Sequence, residues 1–319
     1  MRVLFWGTSD FALPTLRGIS ESSHEIVGVV TQPDRPAGRG RKLRATPVKR
    51  VARELGVEIL QPEKPRGEAF LERLSGLEPG VSVVAAYGEI LTEPVLELPE
   101  RGSVNVHASL LPELRGAAPV NWAVIRGHER SGVTIMRMVR ELDAGPVLAQ
   151  VAVELGPRVT AGALFGRLAD LGAAALVATL DRMEAGSVGS LAQEDDRATF
   201  APRLDRSDAR VDWTEPAVRV GAHVRGCDPW PAAWSQLVRS GEDDEEPRRV
   251  QLFDPRPRPD LEGAAEPGTV TRADPRDGLT VAVGDGSLEI AEVKPAGSSR
   301  MPATAWIQGR GVETGDRFL

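Results

Sequence analysis

The chain has 319 residues, 41% of them apolar and 27% charged, with a formal net charge of −7. That length accommodates two domains with separate cores, and the composition is that of a folded globular protein with no run of 18 apolar residues and hence no expected membrane span. The single cysteine, Cys227, excludes an intrachain disulfide and a cysteine-based zinc cluster, and with no signal-peptide pattern at the N-terminus the expectation is a cytoplasmic protein in which Cys227 is a buried filler.

Arg2–Trp6 reads as a buried strand. Gly7–Asp10 is a turn, with Asp10 placed to cap the segment that follows. Glu25–Thr31 is a second strand, Val48–Leu55 a helix, Val57–Leu60 a third strand, Gly67–Leu74 a helix and Val81–Ala86 a fourth strand. The run Gly102-Ser-Val-Asn-Val-His-Ala108 continues the series. Strands alternating with helices predict a mainly parallel sheet with helices on both faces, and short continuous apolar runs fit strands buried on both sides. Neither the G-x-G-x-x-G fingerprint nor a P-loop follows the first strand, so the sheet is expected to be Rossmann-like in shape without binding a nicotinamide, flavin or nucleoside triphosphate.

Val120–Ile125 is predicted helical. Gly132–Met138 and Pro146–Val153 are strand-like and are placed to pair around the loop that holds Asp143. Thr160 opens a long Ala- and Leu-rich helix to about Met183, which closes a first domain at 1–184. Residues 185–206 are polar without a clear period and read as a linker. From 207 to 319 a short helix at Ala217–Arg225 precedes five short strands: Ala233–Val238, Arg249–Phe253, Thr269–Thr271, Leu279–Val283 and Ser287–Val293. Short strands between Gly/Pro turns predict a small β-barrel. The acidic stretch Gly241–Pro247 reads as a disordered loop.

Two features carry chemistry. Residues i and i+2 of an extended chain point to the same face, so the amide of Asn105 and the imidazole of His107 converge on one small target, just before a Pro/Gly-rich loop of the kind that holds active sites in α/β folds. Asp143 offers a carboxylate downstream; its alternative is a turn residue before Gly145. Amide, imidazole and carboxylate suit acyl-type transfer, in which an oxyanion is held and a proton moved. The second feature is a basic arm: residues 35–50 carry Arg35, Arg39, Arg41, Lys42, Arg44, Lys49 and Arg50 with no acidic residue among them. Its Pro and Gly content predicts a mobile loop, and such arms meet phosphate. The four histidines, His24, His107, His128 and His223, lack metal-ligand spacing, so no metal is expected.

Asn105-Val-His107-Ala-Ser-Leu-Leu-Pro112, Arg115-Gly-Ala-Ala-Pro119, Gly132-Val-Thr-Ile-Met136 and Leu142-Asp-Ala-Gly145 resemble, in order, the signature of the folate-dependent formyltransferases. Thr31–Gly40, Asp228–Trp234 and Lys294-Pro-Ala-Gly297 also resemble segments of that family, so the resemblance covers nearly the whole chain. It implies an OB-like barrel at the C-terminus and 10-formyltetrahydrofolate as formyl donor. It further implies the α-amino group of methionine on initiator methionyl-tRNA as acceptor. Asn105 would donate to the oxyanion, His107 would add a second donor or act as acid/base, and Asp143 would orient His107 or relay a proton. Ser109, Leu110, Leu111 and Pro112 match the folate-contacting loop; Tyr87, Gly88 and Ile90, with Met138–Asp143, would complete the pterin pocket. Tyr87 and Leu110 are alternatively core packing. Arg35, Arg39, Arg41, Lys42 and Arg44 would reach the acceptor end of the tRNA. Trp230 and Trp234 either stack on bases or pack at an interface.

One departure stands out. From Arg206 onward 15 Lys/Arg face 20 Asp/Glu, a net of −5, whereas a tRNA-binding barrel is more comfortable with a positive charge. The competing readings are a nucleotide-sugar formyltransferase with the same donor, an RNA-binding protein without enzymatic activity, and a hydrolase of formyltetrahydrofolate. A monomer is expected.

Overall fold

Several apolar residues in succession, with both faces covered, fit only the middle of a sheet. In the computed structural model Val3 to Gly7 are all buried, and they form an inner strand of a seven-stranded sheet. The structure describes residues 1–37, 42–241, 246–258 and 265–319. In chain order the first elements are β1 (Arg2–Gly7), α1 (Ala12–Ser20), β2 (Glu25–Val30), β3 (Arg35–Ala37), β4 (Lys42–Arg44), α2 (Pro47–Glu54), β5 (Ile59–Leu60), α3 (Glu68–Ser75), β6 (Val81–Ala85), α4 (Glu93–Glu97) and β7 (Ser103–His107). They continue with α5 (Pro119–Ile125), β8 (Arg130–Arg137), β9 (Val147–Glu154), α6 (Ala161–Glu184), α7 (Ala217–Gly226), β10 (Trp234–Val238), β11 (Arg248–Arg258), β12 (Val270–Asp274), β13 (Gly278–Val283), β14 (Gly286–Pro295), β15 (Met301–Pro302), α8 (Ala303–Gln308) and β16 (Arg317–Phe318).

Two compact units are distinguished: Met1–Pro119, Arg130–Val153 and Phe165–Ala201 form one, and Val120–Glu129, Glu154–Leu164 and Pro202–Leu319 the other. The sheet of the first unit runs β5-β2-β1-β6-β7-β8-β9. β1, β2, β5, β6 and β7 pair in parallel, and β8 runs antiparallel to β7. This is the Rossmann-like arrangement that the alternation of strands and helices predicts. Helix α2 shows the local logic: Thr46 Oγ1 accepts from Lys49 N at 3.1 Å, Pro47 opens the first turn, and Val48, Val51 and Ala52 face inward. Helix α1 begins one residue later than a cap at Asp10 would allow. Phe11 occupies the cap without a side-chain bond, and Asp10 contributes its carbonyl to Leu13 N.

The legs of the basic arm, read from sequence as a loop, are strands. Its two legs, β3 and β4, pair as an antiparallel ribbon with Arg35 opposite Arg44 and Ala37 opposite Lys42. The reason lies at the base, where Asp34 accepts from Lys49 Nζ at 2.7 Å and from Gln61 Nε2 at 2.8 Å, and Thr31 Oγ1 meets Thr46 Oγ1 at 2.8 Å. Arg39 and Arg41 lie outside the described residues, as does most of the acidic 241–247 stretch.

Helix α6 has 24 residues and is apolar enough by length and composition to cross a membrane, yet 44% of its most apolar window is buried and Leu168, Leu176 and Leu180 are fully buried. The stretch after it, read as a linker from its lack of period, is tied to the first unit through residue 201. Leu191 pairs with Val147, and Gln193, Asp195 and Thr199 bond to loops of the sheet. Its polar side chains serve loop backbone rather than a repeating face, which is why no period is visible.

In the second unit an antiparallel sheet runs β12-β13-β14-β11-β10-β16, with β15 on β14. A bridge between Thr269 and Arg317 joins the two ends of that path, as does Val270 N donating to Asp316 O at 2.8 Å, so the sheet curls into the predicted barrel. Its core includes Leu252, Leu279, Val281, Leu288, Ile290 and Val293, all fully buried.

Candidate active site

Strand β7 ends the parallel part of the sheet, with Val84 of β6 beside Asn105 on one side and Met136 and Thr134 of β8 beside Asn105 and His107 on the other. Asn105 is half-buried and its carboxamide has no hydrogen-bond partner among the described residues. His107 is 5% exposed. Its Nε2 lies 3.1 Å from Leu114 O, and because a carbonyl only accepts, Nε2 carries the proton and Nδ1 is the nitrogen free to exchange one.

Asp143 arrives by an indirect route. Arg137, at the end of β8, pairs with Val104, so the loop leaves from the far end of β7 and must travel back about 10 Å, three residues of strand rise. It does so with Arg137 N bonded to Pro146 O at 2.9 Å. Gly145 sits so close to Arg137 that a Cβ there would lie 1.8 Å from its carbonyl oxygen. Asp143 itself takes a left-handed backbone, φ 52°. Its Oδ2 ends 3.7 Å from His107 Nδ1, within ion-pair reach but longer than a hydrogen bond, and accepts from Gly116 N at 2.8 Å. Leu114 O, rather than Asp143, therefore sets the ring orientation of His107.

The loop after β7 is held by Thr134, from the Gly132–Met136 motif, and by Gln150, which the sequence did not mark. Thr134 Oγ1 donates to Ser109 O at 2.7 Å and accepts from Leu111 N at 3.1 Å, while Gln150 Nε2 donates to Leu111 O at 2.7 Å. Ser109 Oγ turns inward to Glu113 O. Ser109 and Leu111 are buried, whereas Leu110 and Pro112 are part-exposed, with Leu110 against Gly132. Gly116 carries φ 121°, and a Cβ on it would meet Ala201 O at 2.7 Å, so this turn accepts only glycine.

Tyr87 lies within a buried apolar cluster with Trp6 and Leu91. Its ring is 2% exposed and edge-on to Trp6 at 5.3 Å, and burial, with Glu89 nearby, pushes its hydroxyl up to about 12. Gly88 and Ile90, in contrast, are exposed, Ile90 at 81%. Met138 packs against the cluster containing Tyr87 and Leu91, which brings the loops after β6 and β8 together. The exposed apolar side chains of Ile90, Val139 and Leu142 on those loops suit a flat ring, and the half-buried Asn105 amide suits a carbonyl oxygen.

A family model described as formyl transferase matches residues 1–180, and one described as formyl transferase, C-terminal domain, matches residues 203–311. The chain belongs to the formyl transferase family. The methionyl-tRNA formyltransferase of Desulfotalea psychrophila is 43% identical over 98% of this chain and 95% of its own length. Among solved structures, HypX from Aquifex aeolicus in complex with tetrahydrofolic acid superposes with a TM-score of 0.64 at 18% identity, covering 96% of this chain and 46% of HypX, so this chain spans about half of that protein. An N-formyltransferase from Helicobacter canadensis, in complex with folinic acid and dTDP-3-aminofucose, matches with a TM-score of 0.64 at 12% identity, covering 94% of this chain and 99% of its own. At these identities the likeness to both structures is one of fold.

In the barrel of this formyltransferase, the negative total hides a positive face. Trp234 has the Arg249 guanidinium 4.0 Å above its ring and Arg210 at 6.0 Å, and its Nε1 donates to Arg206 O at 2.7 Å. Gln236 pairs with Arg249 and Gln251 with Lys294, so these polar side chains extend the same outer surface. Trp230 is 52% exposed. Cys227 is fully buried, with its thiol pushed up to about 12 by burial and the nearby Asp208.

Proposed function

We propose that this formyltransferase transfers the formyl group of 10-formyltetrahydrofolate to the α-amino group of methionine on initiator methionyl-tRNA, the step that prepares it for translation initiation. The observation that carries the reading is the Asn105 carboxamide, without a hydrogen-bond partner among the described residues, beside the His107–Asp143 pair. The donor supplies a formyl carbonyl. Asn105 donates a hydrogen bond to the carbonyl oxygen as the amine attacks and negative charge grows there. His107 takes up the amine proton at Nδ1, since Nε2 is committed to Leu114 O, and the Asp143 carboxylate 3.7 Å away stabilises the cation that results; as the oxyanion collapses, the bond from the formyl carbon to N10 breaks, the proton held at Nδ1 passes to N10, and tetrahydrofolate leaves. Gly88, Ile90, Leu110 and Pro112, with the loop at 138–143, line the folate site, and Ser109 and Leu111 shape it from behind.

The acceptor is a macromolecule, and the ribbon of β3 and β4 suits one. Arg35, Lys42 and Arg44 are exposed, Arg39 and Arg41 lie between them in sequence, and phosphate contacts by such side chains give affinity without base specificity. The Trp234–Arg249 face of the barrel offers a second phosphate-binding surface despite the net charge of that half. Residues 1–184 form the catalytic domain, 185–206 the connection and 207–319 the tRNA-binding domain of this reading. The enzyme works as a cytoplasmic monomer, where charged tRNA is found, without a metal.

The test offers 10-formyltetrahydrofolate with methionyl-tRNA, with an amino-sugar nucleotide, or with no acceptor. Formyl transfer to methionyl-tRNA alone supports the reading. Transfer to the sugar amine, or release of formate without an acceptor, replaces it.

A further inference from the structure

Gln193 has no visible mark in the sequence, yet every hydrogen-bonding position of its amide is used. Its Oε1 accepts from Arg115 Nε at 3.1 Å and Nη2 at 2.8 Å, while its Nε2 donates to Asp143 O at 2.8 Å and Gly145 O at 2.7 Å. A guanidinium only donates and a carbonyl only accepts, so the amide has one allowed orientation. Arg115 is 6% exposed and is neutralised by Asp195 at 2.7 Å. Next to it in the chain, Gly116 N donates to Asp143 Oδ2.

These bonds close a ring. It passes from the Arg115 side chain through Gln193 to the Asp143 backbone, out along the Asp143 side chain to Gly116 N, and back to Arg115. Asp143 is thus held by its carbonyl and its carboxylate at once, in a left-handed conformation that needs holding from outside. The same segment also fixes the other partner. Leu114 N donates to Thr199 Oγ1 at 2.9 Å and Arg115 N to Thr199 O at 2.9 Å, and Leu114 O orients His107.

We infer that Gln193, clamped by Arg115, is a positioning residue for formyl transfer: it holds Asp143 opposite His107 Nδ1. The inference rests on the reading that His107 and Asp143 serve the reaction. Misplacing a reacting or stabilising group by an ångström costs about 10²-fold in rate, even when substrate binding is intact.

The experiment measures single-turnover formyl transfer from 10-formyltetrahydrofolate to methionyl-tRNA, per folate-binding site titrated in the same sample. Gln193→Glu keeps the size and the Arg115 pairing but turns an acceptor toward two carbonyls. Gln193→Met removes both functions at similar length. Each is expected to lower the rate per site by about 10²-fold, with folate affinity and tRNA KM within about twofold of wild type. Normalising to folate sites removes any loss of folded protein. The exposed neighbour Glu194, changed to Gln, should leave the rate unaltered. Wild-type turnover per site in Gln193→Glu, or a raised KM with unchanged turnover, overturns the positioning role. Asp143→Asn run alongside separates the two ideas: wild-type turnover there defeats the catalytic reading itself, whereas a slow Asp143→Asn with a fast Gln193→Glu defeats only the ring.

Discussion

Replacing Asn105 by alanine should separate catalysis from folding more cleanly than any other change in this site. The carboxamide has no hydrogen-bond partner within the described chain, so its removal orphans no buried group. The backbone pairings of Asn105 with Val84 and Met136 survive, and asparagine is itself a poor strand former, so stability should change by less than about 1 kcal/mol. Loss of one oxyanion donor costs about 10²–10³ in kcat, or roughly 2.7–4 kcal/mol of transition-state stabilisation. Asn105→Asp sharpens the contrast: it fills the same volume but presents an acceptor to growing negative charge, and should be at least as slow. Urea denaturation reports the stability, and steady-state kinetics with methionyl-tRNA reports the rate. An Asn105→Ala enzyme within about threefold of wild-type kcat would refute the oxyanion role.

Gly145→Ala should lower the urea midpoint, since its Cβ would stand 1.8 Å from a backbone oxygen that cannot yield; overpacking of this kind costs about 1–3 kcal/mol, and an unchanged midpoint would mean that the loop takes another path. Lys42→Ala and Arg44→Ala, like Arg39→Ala and Arg41→Ala, should weaken tRNA use and flatten the slope of log kcat/KM against log salt by about 0.7–0.9 for each phosphate left without its cation, with folate affinity unchanged; unaltered tRNA kinetics in all four would leave the ribbon a solvated hairpin. Cys227 binds its proton more tightly folded, at about 12, than unfolded, near 8.5, so its contribution to stability is complete below the unfolded value and is lost as pH rises toward the folded one. Cys227→Ala should therefore flatten the fall in stability between about pH 8.5 and 10, a window below the titration of Tyr87. Dialysis against a chelator should leave formyl transfer intact, and loss restored by one particular metal would contradict the site as drawn.

The sequence by itself determined whatever rests on neighbours along the chain. Continuous apolar runs such as Val81–Ala85 mark strands covered on both faces, and short strands between Gly/Pro turns, Leu279–Val283 and Ser287–Val293 among them, mark a barrel. The i, i+2 spacing of Asn105 and His107 already put both on one face of β7, because a strand's period allows nothing else. Tertiary structure decided what depends on groups far apart in sequence. Asp143 reaches His107 only because its loop doubles back along β7, and it is retained there by Gly116, 27 residues away, and by Gln193, itself gripped by Arg115 across 78 residues. Tyr87 has a ring equally suited to a ligand or to a core, and the fold buries it edge-on to Trp6. Arg210 and Arg249 are scattered among a larger number of acids and gather around Trp234 only when the barrel closes. Periodicity and capping are local energies that the chain carries in any conformation, whereas a hydrogen bond between distant loops has no energy until the fold has brought its two ends together.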